Sequence, residues 1–207
     1  MKGHLYSMKY PLFLCITLFS FFVYLRAKKK TNFTDVSFWE KENAANSVRK
    51  KPLDSLAYII IPAELLPLQN NTTNEELLEY QNIINDLSKK NIVNLTGITN
   101  TDLKFKYGAP NITLLMEYDQ NFTLLARALS NWAICLYKLG FIVESKTVLE
   151  FGIFCRTDIK KHYVLLAEIY KEESSLYKID HLIEVAKTLN SIMKKSIVSE
   201  LEKIRDC

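Results

Sequence analysis

Residues 129–152 read LSNWAICLYKLGFIVESKTVLEFG, and this stretch decides the fold. When the chain is offset by 34 residues, large apolar residues fall on large apolar residues, and small residues fall on small ones. A fixed period of this length is typical of stacked supersecondary units. The matched pairs are Leu129 with Tyr163, Trp132 with Leu166, Ala133 with Ala167, Leu136 with Tyr170, Leu149 with Ile183, and Gly152 with Ala186.

Small residues recur where two helices of a pair would cross. Ala133 lies in the first helix, Leu139-Gly140 forms a turn, and Ser145 and Gly152 lie in the second helix. This pattern resembles the tetratricopeptide repeat, in which small side chains let antiparallel helices approach closely. The resemblance implies an all-α superhelical array of helical hairpins.

The second repeat departs from the tetratricopeptide pattern in two places. Ser174 replaces the turn glycine, and Ile179 stands where a small residue is usual. A last amphipathic helix, with Ile197, Leu201 and Ile204 on one face, is expected to cap the stack. The segments NLTG, NTDLKFKYG and EYDQNFT also resemble membrane-anchored repeat proteins of clostridial-type bacteria, a family that implies no activity.

An uncharged apolar run precedes the repeats. YPLFLCITLFSFFVYL occupies residues 10–25, with tyrosines at both ends and Arg26 after it. Sixteen helical residues span roughly 24 Å, short of a ~30 Å hydrocarbon core, but flanking cations can extend the span by snorkelling. A cleavable signal peptide is the competing interpretation. We favour an uncleaved single-pass anchor because no pair of small residues marks a cleavage site.

Charge sets the expected orientation of the anchor. Residues 1–51 carry ten Lys/Arg and three Asp/Glu, whereas residues 52–207 carry seventeen and twenty. The cations just after the anchor favour a cytoplasmic C-terminal domain, and the scattered cysteines agree. Six N-x-S/T sequons would matter in a secreted chain, but Asn-rich composition also produces them. They start at Asn32, Asn70, Asn71, Asn94, Asn111 and Asn121.

The chain therefore divides into five predicted segments. They are an N-terminal tail (1–9), a transmembrane anchor (10–26), a basic juxtamembrane linker (27–52), a helical and loop subdomain (53–120), and repeats with a capping helix (121–207).

Three features are expected within the subdomain 53–120. Residues 56–61, bounded by prolines, predict a short extended segment packed on the helices. Thr73-Asn74-Glu75-Glu76 predicts a capping box for a helix whose apolar stripe ends near Lys90. Residues 91–112 are irregular, and are interpreted either as a binding loop or as a connector whose polar side chains satisfy its own backbone.

The sequence lacks the motifs of the common catalytic and cofactor sites. It has no nucleotide-binding glycine pattern, no G-x-S-x-G and no zinc-binding spacing, and its three histidines lie apart. We therefore expect no enzyme, no cofactor and no metal. The net negative charge of residues 52–207 argues against nucleic-acid binding.

The expected function is membrane-anchored protein interaction. In a tetratricopeptide-like array the first helix of each pair would line a concave groove for a peptide or protein partner. The alternative is a structural subunit that packs through its helices, and homo-oligomerisation stays open. The expected groove residues are Arg127, Ser130, Ile134, Tyr137, Lys138, Lys161, Val164, Glu168, Lys171 and Glu172.

Overall fold

The computed structural model describes residues 9–62 and 74–206, with residues 9–14 and 27–36 described as backbone only. Within these ranges all regular structure is helical apart from one isolated β-bridge, so the all-α prediction is confirmed. The helices are α1 (Lys9–Asn46), α2 (Glu75–Leu87), α3 (Asn100–Tyr107), a 3-10 turn (Ala109–Asn111), α4 (Ile112–Lys138), α5 (Ile142–Phe154), α6 (Lys160–Glu172), α7 (Leu176–Lys187) and α8 (Lys194–Asp206).

The predicted repeats lie in a region of successive packed helices. α4 packs on α5, α5 on α6, and α6 on α7, while α8 packs on both α6 and α7 as a cap. The predicted small positions are buried, and the Ser145 hydroxyl donates to the Ala133 carbonyl at 2.8 Å. This short contact explains why Ser145 must be small. The superhelical, tetratricopeptide-like arrangement remains a prediction.

The turn after α4 is closed by backbone hydrogen bonds. Gly140 adopts φ of +84°, and the Phe141 amide donates to the Leu136 carbonyl at 2.9 Å. Glycine favours this left-handed conformation because it has no Cβ. The corresponding turn after α6 places Ser174 at φ +56° and has the Ser175 amide donating to Tyr170 at 2.8 Å. The second turn therefore keeps the geometry without the glycine.

The predicted boundary between residues 120 and 121 falls inside α4. This helix starts at Ile112, directly after the 3-10 turn that contains Pro110. α2 packs along α4, and Leu77, Ile84 and Leu87 of α2 belong to the same apolar core as the repeats. The two predicted segments thus share one core.

The helix predicted by the capping box begins one residue later than expected. Asn74, rather than Thr73, is the N-cap, and its side chain accepts from the Leu77 amide at 3.0 Å. Thr73 lies outside the described residues. The helix ends at Leu87, where the Ser88 amide bonds to the Ile84 carbonyl.

The stretch 91–112 contains regular structure that the sequence analysis missed. α3 begins after Thr99, whose hydroxyl accepts from the Asp102 amide at 3.2 Å. The extended segment 56–61 behaves as predicted. It makes an isolated bridge between Tyr58 and Val93, and it buries Leu56 and Ile61.

The segment predicted as a linker (27–52) is helical as far as Asn46, because α1 is one continuous helix. Its C-terminal end docks on α3, where Glu42 pairs with Lys104 and Ala45 is fully buried. The tail 1–8 and the side chains of residues 10–14 in the predicted anchor lie outside the described part. Among the side chains that are described, no helix has a run long and apolar enough to cross a membrane.

Candidate functional site

The ten expected groove residues lie on one side of α4 and of α6. At 100° per residue, Val164, Glu168 and Lys171 project from the side of α6 opposite to Leu166 and Tyr170. Nine of the ten reach the surface at least partly. Ser130 is the exception: it is only 4% exposed, so it cannot contact a partner without rearrangement.

The structure brings three of these residues together across the two helices. The Tyr137 hydroxyl lies 3.4 Å from the Glu172 carboxylate. This carboxylate raises the pKa of Tyr137, and burial and Glu168 raise it further. Arg127, Lys138, Lys161 and Lys171 are exposed. The predicted concave face is therefore a charged surface. Within it, Tyr137 and Glu172 contact each other.

A distinct groove opens on the other side of α6. It encloses a cavity of about 700 Å³ between α5 and α7, with α6 as its floor. We call it the α5–α7 groove. Its residues are Glu150, Ile153, Phe154 and Arg156 near the end of α5, Leu166 and Tyr170 on α6, and Tyr177, Lys178, His181, Leu182 and Val185 on α7.

Three of the eleven residues that line the α5–α7 groove are aromatic: Phe154, Tyr170 and Tyr177. Phe154 is 77% exposed and Tyr177 is 72% exposed, although each has apolar neighbours within the groove. Phe154 stacks on Phe151, with ring centroids 6.3 Å apart. Burial of an aromatic ring is strongly favourable, so exposed rings on one face mark a surface suited to binding.

Two polar groups of the α5–α7 groove, Tyr170 and Glu150, are fixed by their contact with each other. The Tyr170 hydroxyl donates to the Glu150 carboxylate at 2.9 Å, and the Lys178 ammonium lies 5.0 Å from the centroid of the Tyr170 ring. Burial, assisted by Glu150, raises the pKa of Tyr170 well above its usual range. Tyr170 therefore stays a neutral donor, and Glu150 is occupied by it.

Two cations of the groove have no acidic partner. Within the described part of the chain, neither Lys178 nor Arg156 forms an ion pair, and the polar contact of Arg156 is a 3.5 Å bond to the Thr188 hydroxyl. The nearby carboxylates Asp180 and Glu184 pair instead with Arg205 and Lys187. The groove thus presents positive charge beside apolar surface.

A second cavity, of about 660 Å³, adjoins the first, and Phe154 and Arg156 line both. We call it the Ile60 cavity. Its other walls are the extended residues 57–60, the segment from Asn94 to Ile98, Cys155 and Asp158 after α5, and the loop from Thr188 to Ser191. Asn190 donates to the Gly97 carbonyl at 3.2 Å, and Ser191 donates to Asp158 at 2.6 Å. These bonds hold the loop against the segment from Asn94 to Ile98 and against Asp158, just after α5.

His162 is a structural residue. It is completely buried, and its Nε2 donates to the Leu149 carbonyl at 2.9 Å, which leaves Nδ1 without a partner among the described residues. Burial lowers the pKa of His162 to about 4. Within the described residues, no group of three or more His, Cys, Asp or Glu side chains could hold a metal ion.

Three of the sequon asparagines have structural roles. Asn111 is buried and donates to the carbonyls of Lys51 and Tyr107, each at 2.8 Å. Asn121 donates to Asn91, and Asn94 donates to Cys155. A glycan is attached to the same side-chain nitrogen, so glycosylation of Asn111 would break the fold locally. Asn70 and Asn71 lie outside the described residues.

Comparison with protein-family models, curated proteins and solved structures found no match. The resemblance to tetratricopeptide repeats and to anchored repeat proteins therefore stays a prediction.

The α5–α7 groove was missed by the sequence analysis, which placed the binding surface on the first helix of each pair. One signal was available. Phe154 and Tyr177 are exposed aromatics on the second helices, and a helix with one buried stripe does not need apolar side chains outside it. Their alignment across two helices, however, depends on tertiary packing.

Proposed function

We propose that the chain is a membrane-anchored interaction module that binds an acidic, apolar segment of a partner protein in the α5–α7 groove. The single observation that carries the proposal is the cavity of about 700 Å³ walled by the exposed rings of Phe154 and Tyr177. Its volume is within the ~300–1,000 Å³ range of binding pockets. That the chain is not an enzyme remains part of the proposal.

Apolar contacts are expected to supply most of the affinity. Burying apolar surface contributes roughly 25 cal/mol per Å², and partially exposed aromatics are frequent energetic centres of interfaces. Phe154 and Tyr177 each keep most of their surface available for such burial. A partner with Leu, Ile or Phe side chains would cover both rings.

Charge complementarity identifies the partner as acidic. Lys178 and Arg156 lie in the groove without ion pairs among the described residues, and Glu150 is already engaged by Tyr170. An incoming Asp or Glu would compensate each cation, whereas a basic segment would leave like charges together. The favoured ligand therefore has an apolar centre flanked by carboxylates.

The anchor is supported by the character of α1. Large apolar side chains at 21–25 are all about half exposed, and five successive residues at 100° intervals point to all sides of the helix. A helix that is apolar all round belongs in a protein core or in lipid. Tethering would raise the local concentration of a partner at the same membrane, so modest affinity is sufficient.

Selection from a display library of random 12-residue peptides tests the proposal, using the full chain in lipid nanodiscs. We expect selected peptides to be rich in Asp, Glu, Leu and Phe. Their dissociation constants should rise about tenfold or more in Phe154→Ala and Tyr177→Ala, and also in Lys178→Glu. Val143→Ala, at another exposed apolar residue of α5, is the matched control and should bind normally.

Three outcomes would overturn the proposal. The first is that no peptides are selected, and the second is that the selected peptides are basic. The third is that Lys171→Glu weakens binding whereas the groove variants do not. The last result would restore the concave face as the binding surface. An absence of binders would favour the structural-subunit alternative.

A further inference from the structure

We infer that the partner segment binds in an extended conformation, and that it runs from the α5–α7 groove across Phe154 and Arg156 into the Ile60 cavity. This inference rests on the proposed function and adds the conformation and length of the ligand. Its starting point is that the two cavities share Phe154 and Arg156 as a common wall.

The shared wall is suited to contact with a crossing segment. Phe154 is mostly exposed and is supported from below by Phe151, so its ring offers a fixed apolar ridge between the cavities. Arg156 lies at the same place, and its guanidinium bonds only to the Thr188 hydroxyl within the described residues. A carboxylate at the middle of the segment would meet Arg156 there.

The far wall of the Ile60 cavity favours an extended ligand. Residues 57–60 are extended, and the Ile59 amide donates to the Ile92 carbonyl at 2.9 Å. Because successive residues of an extended chain direct their backbone groups to alternate sides, those of Ile60 face away from Ile92. Within the described residues the Ile60 backbone makes no hydrogen bond, and its side chain is 81% exposed.

An extended partner could therefore pair with the Ile60 backbone while its side chains enter the cavity. Addition of a strand to an open edge obtains affinity from main-chain hydrogen bonds and specificity from side-chain pockets. A helical ligand has no free backbone groups to offer and would be confined to the α5–α7 groove. The exposed Ile60 side chain would add apolar contact.

The two cavities set the length of the segment. The stretch from Tyr177 in α7 to Thr188, the C-cap residue of this helix, is about 17 Å long at 1.5 Å per residue, and about five extended residues cover that distance. The Ile60 cavity has a similar volume, so about five more extended residues are needed to fill it. The ligand is thus about ten residues long, with an acidic residue near its centre.

Selection of random 12-residue and 6-residue peptides on the full chain in nanodiscs tests this inference. Ile60→Asp should weaken the selected 12-residue peptides about tenfold and leave the 6-residue peptides unchanged, because only the longer ones reach residue 60. The substitution is surface-exposed and preserves the core. Val143→Asp adds the same charge at an exposed apolar residue outside both cavities and serves as the control.

The outcomes separate the two proposals. If Phe154→Ala weakens the 12-residue peptides but Ile60→Asp does not, the bipartite site is wrong and the groove proposal stands. If neither variant weakens them, both are wrong. The inference is also overturned if the circular dichroism of a selected 12-residue peptide becomes helical on binding.

Discussion

His162 occupies the space that a side chain at position 152 would otherwise fill, between α5 and α6. A Cβ built on Gly152 would lie 1.9 Å from the His162 Cε1 atom. The imidazole is also held by its bond to the Leu149 carbonyl. The buried His162 ring therefore leaves room only for glycine at position 152 of α5. Its burial also favours the neutral form of the imidazole in the folded chain.

The first prediction concerns pH. The pKa of His162 is about 4 in the folded chain and about 6.5 when unfolded, so the unfolded state binds the extra proton between these values. The contribution of His162 is intact above pH 6.5 and is lost as pH falls towards 4. We expect the free energy of unfolding to fall by about 2 kcal/mol between pH 7.5 and pH 5.

Urea unfolding at both pH values measures this loss. His162→Gln keeps an N–H donor for Leu149 but does not titrate, and it should abolish the difference between the two pH values. His181→Gln alters an exposed histidine and should retain the difference. An equal pH dependence in His162→Gln and in the unmodified chain would contradict the assignment.

The second prediction follows from the lack of space at Gly152. Gly152→Ala adds a methyl group against His162, and overpacking of this kind should destabilise the chain by about 1–3 kcal/mol. In an open helix the same change would be stabilising. Combining it with His162→Ala should recover part of the loss in a double-mutant cycle of thermal unfolding. Fully additive losses would show that the two positions do not interact.

At the level of the helices, the two turns offer matched tests. Ser174→Gly removes the steric cost of a left-handed backbone at a residue with a Cβ, but glycine also increases the conformational entropy of the unfolded chain. The two effects together should stabilise the chain by about 0.5–1 kcal/mol. Gly140→Ser is the reverse change, at a position where an added Cβ meets nothing within 4 Å. It should destabilise by a similar amount. Thermal unfolding that shifts both variants in the same direction would refute this explanation.

Most of these helices could be predicted from the sequence because their apolar periods and turn residues lie within short stretches of the chain. The turn at Leu139-Gly140 and the stripe of α2 follow from backbone preference and apolar period. α3 was missed although Thr99 and Asp102 have the spacing of an N-terminal cap, because glycines on both sides favoured a loop. The α5–α7 groove could not be predicted, since it depends on how Phe154 and Tyr177, on separate helices, are placed in space.

The contact between α1 and α3 supplies the fourth prediction. Glu42 accepts from Lys104 and from the Thr101 hydroxyl, and these contacts lower the pKa of Glu42. Glu42→Ala should loosen the end of α1, so that amides at 37–46 exchange faster with deuterium while those of α6 do not change. Glu40→Ala, an exposed glutamate on the same helix, is the control. Unchanged exchange at 37–46 would mean that the Lys41–Asp102 ion pair and the burial of Ala45 hold the helix without Glu42.

For the molecule as a whole, the continuity of α1 has a consequence for the proposed anchor. The helix from Arg26 to Glu42 is about 24 Å long, and its far end is fixed to α3 by the ion pairs Glu42–Lys104 and Lys41–Asp102. A continuous helix joined at that point would hold the repeats at a set distance from the bilayer. The partner segment would then have to be exposed at a similar height.

The fifth prediction concerns the side of the membrane on which the repeats lie. We expect the cytoplasmic side, because the cations after the apolar run outnumber those before it. Cys207 is a suitable reporter, since Cys135 and Cys155 are buried and burial raises the pKa of Cys155 to about 12. A Cys15→Ser variant removes the thiol in the apolar run, so that Cys207 is the one thiol left besides the two buried cysteines.

In intact cells that express the Cys15→Ser chain, a membrane-impermeant maleimide should leave the chain unlabelled until lysis, and carbonate washing should leave it in the membrane. Deletion of residues 1–26 should release the chain from the membrane. Labelling before lysis would place the C-terminal domain outside the cell, and an acidic partner must then be sought there. Release of the full chain by carbonate would refute the anchor but leave the groove prediction intact, because the groove is built entirely from α5, α6 and α7 and the turn at Arg156.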